Sequence, residues 1–168
     1  RERLEARAPG ASGADATPTV AVIGAGIAGA SLARALADLG VSCAVVEAEA
    51  PGAGGSGFPS SLVTPRLDVG DEGIAALYAQ ALERAGSLYA ATPGAVRAQG
   101  VLQLEQAARD ARRFDRVAAQ TLWPEGAMLR LDAAACSDRL GEPVETGGLY
   151  MRDALSVHPA AVLGAWLA

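Results

Sequence analysis

The chain has 168 residues, 51% of them hydrophobic, which is enough to bury the core of an ordinary globular domain. Its 14 basic residues, all arginine, are outnumbered by 19 acidic ones. The net charge of −5 argues against a nucleic-acid-binding footprint over the chain as a whole. Two widely spaced cysteines and a single histidine predict no metal site, no disulfide framework and no His-based triad. No apolar run is long enough for a membrane span and no signal peptide is visible, so we expect a cytoplasmic protein.

The first 18 residues are expected to be a tail and an interdomain linker. Residues 1–7 (RERLEAR) are charged and compatible with a helix, and residues 8–18 (APGASGADATP) have the composition of a flexible linker. The chain starts with arginine and ends inside an apolar, periodic run, so we expect it to be part of a longer protein. We assign residues 19–70 to cofactor binding and 71–168 to a helical segment and the start of a substrate domain.

Residues 20–47 have the pattern of a βαβ nucleotide-binding unit. The apolar run 20–23 predicts a strand buried on both faces. Gly24, Gly26 and Gly29 follow in the GxGxxG spacing, where they allow a tight turn, the approach of a pyrophosphate and close helix packing. A second apolar run ends at Glu47, 18 residues after Gly29, close to the ~20 expected for an acid that binds a ribose hydroxyl. The alternative is that the glycines serve packing only and that Glu47 caps a strand end.

A second glycine-rich stretch, residues 48–61, follows directly. In a doubly wound sheet, ligands bind outside the carboxyl ends of the strands, where this loop begins. Backbone N–H groups around Gly54, Gly55 and Gly57, with the Ser56 hydroxyl, are suited to a phosphate or a ring, although a solvated surface loop has the same composition. Arg66 is the single cation in the next apolar run. It is expected to face a cofactor or substrate, with a surface arginine as the alternative.

The remaining chain predicts helices mixed with strands. Residues 71–91 have a helical period with Leu77 and both of the helix's tyrosines in its buried stripe. Residues 106–120 predict an amphipathic helix whose arginines form a solvated face paired with Asp110 and Asp115. Strands are expected at 100–105, 128–131 and 147–152, and helices at 132–140 and from Pro159 onward. This order predicts an α/β fold, in which a Rossmann-like domain is interrupted by a mixed α+β domain.

With these residues in view, the chain resembles the glycine/D-amino acid oxidase class of flavoproteins. Within that class it is most similar to the FAD-dependent oxidoreductase domains of the bifunctional tRNA 5-methylaminomethyl-2-thiouridine biosynthesis family. The likeness rests on the βαβ unit, on GGSGFP (54–59) with LVTPRL (62–67), and on GGLYMRDALSVHPAAVL (147–163). Phe58 departs from the family, which commonly has asparagine there. The resemblance covers the front half of such a domain, so the fold is expected to be incomplete at the C-terminus.

The resemblance implies a cofactor, a reaction and a partner. The cofactor is FAD rather than a nicotinamide, and S-adenosylmethionine belongs only to a methyltransferase domain expected upstream. The reaction is oxidative removal of the carboxymethyl group from 5-carboxymethylaminomethyl(-2-thio)uridine at the tRNA wobble position. The tRNA is expected to bind through parts of the protein outside this chain. The residues assigned to the cofactor are Gly24, Ala25, Gly26, Ile27, Ala28, Gly29, Glu47, Ala48, Gly54, Gly55, Ser56, Leu62 and Val63.

Two other functions are compatible with the sequence. One is a free-standing FAD-dependent oxidase or dehydrogenase that acts on a small amino acid or amine. The other is a cofactor-binding fragment or interaction module without activity of its own.

Overall fold

The computed structural model describes residues 3–4 and 19–168. The predicted tail and linker therefore lie outside the described residues, apart from Arg3 and Leu4, which form a short strand. The strands are β1 (Arg3–Leu4), β2 (Val20–Ile23), β3 (Cys43–Val46), β4 (Ser61–Val63), β5 (Val96–Leu104), β6 (Met128–Leu131) and β7 (Gly148–Val157). The helices are α1 (Ile27–Asp38), α2 (Glu72–Ala90), α3 (Ala108–Ala118), α4 (Ala133–Leu140) and α5 (Pro159–Trp166).

The chain divides into two compact units. The first unit contains the described residues up to Ser61, together with Thr92–Ala95 and His158–Ala168. The second unit contains Leu62–Ala91 and Val96–Val157. The predicted assignment of 19–70 to the cofactor and 71–168 to the substrate concerns function and stays a prediction.

The first unit is built on a three-stranded sheet in the order β1-β3-β2. Strands β2 and β3 are parallel and joined by α1, as the βαβ pattern predicts, whereas β1 runs antiparallel to β3. The core beside this sheet is made of small and β-branched residues, chiefly Val22, Ala25, Ala33, Cys43 and Val45. Because these side chains are small, α1 packs close to the strands and the turn between them is held firmly.

One expectation for this sheet is wrong. Strand β2 is not buried on both faces, because Val22 is 4% exposed while Ile23 is 90% exposed. Side chains alternate between the two faces of a strand, and the described residues cover only the face that contains Val22. An apolar run shows that a strand is suited to burial, but it does not show which elements cover it.

The second unit is built around the long strand β7. It pairs antiparallel with β5 and with β6, and β4 completes the four-stranded sheet. Helix α3 packs on this sheet through Phe114 and Val117, both fully buried beside Leu149 and Met151. The parallel and antiparallel sheets together confirm the predicted α/β class.

Capping side chains fix where two helices of the second unit begin. Asp71 is the N-cap of α2 and accepts a hydrogen bond from the Ile74 N–H at 3.0 Å. Asp132 caps α4 in the same way, accepting from Ala135 N–H at 2.8 Å. Such caps satisfy N–H groups that have no acceptor inside the helix, and therefore fix where each helix begins.

The side-chain predictions for α2 and α3 are partly wrong. Leu77 and Tyr78 are 59% and 37% exposed, and the residues of α2 that are buried are Ala75 and Leu82. The arginines of α3 are not paired with Asp110 and Asp115 as expected, because both carboxylates have other partners, described below. Helical spacing identifies the apolar and charged positions of a helix, but the packing neighbour decides which of them are covered.

Among residues 3–4 and 19–168, no helix has the length and apolar character needed to cross a membrane. The same part of the chain contains no group of three or more His, Cys, Asp or Glu side chains arranged to hold a metal ion.

Candidate cofactor site

The turn between β2 and α1 has the geometry that its glycines predict. Gly24 has a φ of +98°, in the left-handed region that favours glycine, and its N–H donates to the carbonyl of Val46 at 2.8 Å. A Cβ on Gly29 would collide with the carbonyl oxygen of Gly24 and would lie 3.4 Å from Cγ1 of Val22. The first glycine therefore permits the turn, and the last lets α1 begin directly against it.

The N-terminus of α1 presents backbone N–H groups to a ligand. Gly26 is its N-cap residue and provides no side-chain cap. Ala28 and Gly29 lie in the first helical turn, where N–H groups have no acceptor within the helix. The partial positive charge at this end of a helix favours an anion. The arrangement is therefore suited to a pyrophosphate.

Glu47 follows β3 and turns its carboxylate toward this first turn. Its Oε2 accepts from the Ala25 N–H at 2.7 Å, while Oε1 accepts from the N–H groups of Ala48 at 2.6 Å and Glu49 at 3.3 Å. These hydrogen bonds, the one from Ala25 first, hold the pKa of the Glu47 carboxyl below its usual range. A carboxylate has about four acceptor positions, and three are used here, so the ionised, partly exposed group retains capacity on Oε2 for one hydroxyl of a ribose.

The second glycine-rich loop folds back on the first turn. The Ser56 hydroxyl oxygen accepts from the Ile27 N–H at 2.9 Å, which satisfies one N–H of the α1 terminus. A Cβ on Gly26 would lie 3.2 Å from this hydroxyl oxygen, so the two segments approach closely. Gly54 and Gly55 have open space where a Cβ would be. The loop thus contributes one side chain to the turn and leaves a stretch of backbone accessible, while its binding of the cofactor stays a prediction.

A cavity of about 610 Å³ lies beside this loop within the first unit. Its walls come from the loop and from α5, including Phe58, Leu163 and Leu167. Of the residues assigned to the cofactor, Ser56 alone lines it. The cavity therefore adjoins the nucleotide site predicted at Gly24–Gly29 and Glu47 through Ser56.

Three predicted site residues lie in the second unit. Leu62 and Val63 belong to β4, and Leu62 is 64% exposed. The Arg66 side chain is also 64% exposed, and its guanidinium lies 3.3 Å from Asp68 Oδ2. Asp68 is itself held by the N–H groups of Gly70 and Asp71. Arg66 is therefore accessible and anchored to a fixed carboxylate.

The sequence reasoning missed Gly52. Its N–H donates to the Ala25 carbonyl at 3.1 Å, and its φ of +79° lies in the left-handed region that favours glycine. A Cβ at this position would lie 2.8 Å from Cδ1 of Leu163, which would have to shift. Gly52 joins the second loop to the first turn. The signal was present in the sequence, because a Pro-Gly pair such as 51–52 marks a turn that needs a positive φ.

A family model described as FAD dependent oxidoreductase matches residues 19–168. The chain belongs to this family. Its cofactor is FAD, so the prediction of FAD rather than a nicotinamide is confirmed, as is the assignment to an oxidoreductase. The accessible first-turn amides and the ionised Glu47 fit an adenine dinucleotide, which carries a pyrophosphate and a ribose.

Relatives of known name support the closer resemblance. The tRNA 5-methylaminomethyl-2-thiouridine biosynthesis bifunctional protein MnmC of Caulobacter sp. (strain K31) is 48% identical over 168 residues, covering 99% of this chain and 27% of the relative. A protein of the same name from Magnetococcus marinus is 36% identical over 156 residues, covering 89% of this chain and 23% of the relative. The chain therefore spans about a quarter of the length of the curated relatives it matches.

Solved structures support the fold. Iminodiacetate oxidase from Chelativorans sp. BNC1 has a TM-score of 0.66 at 25% identity, covering 88% of this chain and 43% of that chain. Glycine oxidase from Geobacillus kaustophilus has a TM-score of 0.68 at 20% identity, with 88% and 42% covered, and shows the likeness of fold alone.

Proposed function

We propose that this chain is the flavin-binding part of an enzyme that removes the carboxymethyl group from 5-carboxymethylaminomethyl(-2-thio)uridine at the wobble position of tRNA. The observation that carries the proposal is the 48% identity, across 99% of the chain, to a bifunctional protein named for tRNA 5-methylaminomethyl-2-thiouridine biosynthesis. That name also supports a methyltransferase domain, with S-adenosylmethionine, elsewhere in the full-length protein. We place the enzyme in the cytoplasm with its tRNA.

The substrate of a structural relative is chemically consistent with this reaction. Iminodiacetate, on which the Chelativorans oxidase is named to act, is a secondary amine that carries two carboxymethyl groups. The proposed tRNA side chain is likewise a secondary amine, and it carries one carboxymethyl group. Both reactions would therefore oxidise a carbon beside a secondary amine.

The reaction is a two-electron oxidation followed by hydrolysis. Bound FAD supplies the acceptor for the hydride that leaves the carbon beside the amine. The hydride leaves the carboxymethyl carbon and the amine N–H proton passes to water, so the bond between that carbon and the nitrogen becomes an imine. Water then hydrolyses the imine to a released two-carbon oxo acid and an aminomethyl group on the uridine. The chain needs no nucleophilic side chain for these steps. It has to bind and orient the cofactor and the substrate.

We assign these binding tasks to particular groups. The N–H groups of Ala28 and Gly29 hold the pyrophosphate, and Glu47 holds the adenosine ribose. The Arg66 guanidinium contacts the flavin or the substrate carboxylate, since its planar donor array matches a carboxylate. The guanidinium is accessible to a ligand, and Asp68 holds it in place.

The test is a nucleoside analysis of tRNA treated with the full-length enzyme. Wild-type enzyme, given tRNA that carries 5-carboxymethylaminomethyl-2-thiouridine and no S-adenosylmethionine, should yield the 5-aminomethyl nucleoside. Arg66→Met should lower kcat/KM for this step about tenfold, because one charge-assisted contact is lost. Arg84→Met, on an exposed part of α2, is the matched control and should leave kcat/KM for this step unchanged.

Two results would contradict these proposals separately. An enzyme that leaves the modified tRNA intact while it oxidises free glycine or iminodiacetate would be a small-amine oxidase. Normal oxidation of the tRNA by Arg66→Met would leave Arg66 as a surface residue without affecting the proposed reaction.

A further inference from the structure

Helix α3 has an unusual distribution of charge for an acidic chain. It contains four arginines and two aspartates within 11 residues. Three of the arginines, Arg109, Arg112 and Arg116, are exposed. Arg112 lies three positions after Arg109, and Arg116 lies four positions after Arg112. This spacing places the three side chains along one side of the helix over about 10 Å. We call these three residues the α3 arginine stripe.

The two aspartates of α3 have their closest polar partners outside this stripe. Asp110 is 9% exposed, and its Oδ2 accepts from the N–H groups of Gln106 and Ala107 at 3.0 and 2.9 Å. Those hydrogen bonds, with that of Gln106 first, hold the pKa of Asp110 below its usual range, and the positive charges of Arg113 and Arg109 lower it further. The carboxylate is therefore fixed at the start of the helix, where it satisfies N–H groups.

Asp115 is bound by a cation from another element. Its Oδ1 accepts from Arg130 Nε on β6 at 2.9 Å, and Arg130 also contacts Glu105. Within the part of the chain that the structure describes, no ion pair of 4 Å or less involves any member of the α3 arginine stripe.

The fourth arginine of the helix strengthens the local positive charge. Arg113 is half-buried, with its guanidinium 5.8 Å from the Phe114 ring centroid. Its Nε is buried and has no hydrogen-bond partner among the described residues. Four positive charges are thus gathered on one helix, and the nearby carboxylates are committed to a helix cap and to Arg130.

We propose that the α3 arginine stripe binds phosphate groups of the tRNA substrate. The inference rests on the proposed function, which supplies an RNA partner, and it revises the expectation that tRNA binds only outside this chain. Guanidinium groups form bidentate hydrogen bonds with phosphate oxygens, and an exposed row of them gives affinity without reading sequence. A net charge of −5 opposes RNA binding over the whole chain, but binding depends on the charges that directly meet the phosphates.

The test is the salt dependence of tRNA binding by the full-length FAD-loaded enzyme. The probe is tRNA that carries 5-carboxymethylaminomethyl-2-thiouridine, and the variant is Arg109→Gln/Arg112→Gln/Arg116→Gln. Each lost phosphate contact lowers the slope of log K against log salt by about 0.7–0.9, so the triple variant should lose about 2–3 in slope. At 0.1 M salt its affinity should fall about tenfold or more.

A control variant removes the same charge elsewhere in the second unit. Arg84→Gln/Arg97→Gln/Arg139→Gln takes away three other exposed arginines and should change the slope by less than about 1. In the stripe variant, flavin content and kcat at saturating tRNA should match the wild type, while KM rises.

An unchanged slope in the stripe variant would overturn the inference, and so would an equal fall in slope in the control. Neither outcome depends on the proposed reaction. If the wild type failed to oxidise the modified tRNA, the proposed function would fall, while the slope would still report on the stripe.

Discussion

In the first unit the turn of the candidate site is shaped by glycines and backbone N–H groups, to which Glu47 and Ser56 add one side-chain contact each, whereas in the second unit the main interactions are made by side chains. Gly24, Gly29 and Gly52 position the turn because they have no side chain, and N–H groups face the expected ligand. In the second unit, Phe114 fills the core and Arg130 joins carboxylates from two elements. The stability of the first unit should therefore be most sensitive to side-chain atoms added at its glycines. The stability of the second unit should be most sensitive to side-chain atoms removed from its core.

The largest expected effect is the loss of a core side chain from the second unit. Phe114→Ala should lower the free energy of unfolding by about 3–5 kcal/mol, because it leaves a cavity under α3. Leu77→Ala is the matched control, since that side chain is 59% exposed, and it should cost less than about 1 kcal/mol. Thermal unfolding of the full-length enzyme measures both. Equal losses in the two variants would contradict the described core.

A smaller change in volume should have a large effect in the first unit. Gly29→Ala adds one methyl group where it meets the Gly24 carbonyl, and should cost about 1–3 kcal/mol and weaken FAD binding. Gly86→Ala, in α2, adds the same group with nothing within 4 Å and should stabilise by about 0.5–1 kcal/mol. Chemical unfolding with flavin fluorescence distinguishes them. A Gly29→Ala enzyme that retains wild-type stability and FAD would show that the turn tolerates a side chain.

The difference between the two units also explains how much of the fold could be predicted from the sequence. The site in the first unit depends on local spacing, and the positions of Gly24, Gly29 and Glu47 along the chain largely define it. The strand and helix order of both units also follows from local periodicity and from caps such as Asp71 and Asp132.

The side-chain partners depend on contacts between distant residues, which a single sequence does not reveal. Asp115 is paired with Arg130, 15 residues away, rather than with an arginine of its own helix. Asp110 turns inward to cap α3, although its helical spacing favoured a surface ion pair. The exposure of Ile23 was also missed, because an apolar run carries no information about the element that covers it.

The pH dependence of FAD binding should follow from the lowered pKa of Glu47. A depressed pKa keeps the carboxylate ionised as the pH falls, so its contribution to FAD binding is present above the usual value of 4.5 and is lost only below it. FAD affinity should therefore be constant between about pH 8 and 5 with respect to this group.

The most direct test of the FAD site is the dissociation constant of FAD for the full-length enzyme with Glu47→Ala. Glu49→Ala is the control, because the Glu49 backbone N–H that donates to Glu47 is retained. Glu47→Ala should weaken binding about tenfold or more, since a charge-assisted hydrogen bond to the ribose is lost, and Glu49→Ala should change it less than about twofold. A Glu47→Ala enzyme that binds FAD as tightly as the wild type would contradict the assignment of this carboxylate to the cofactor.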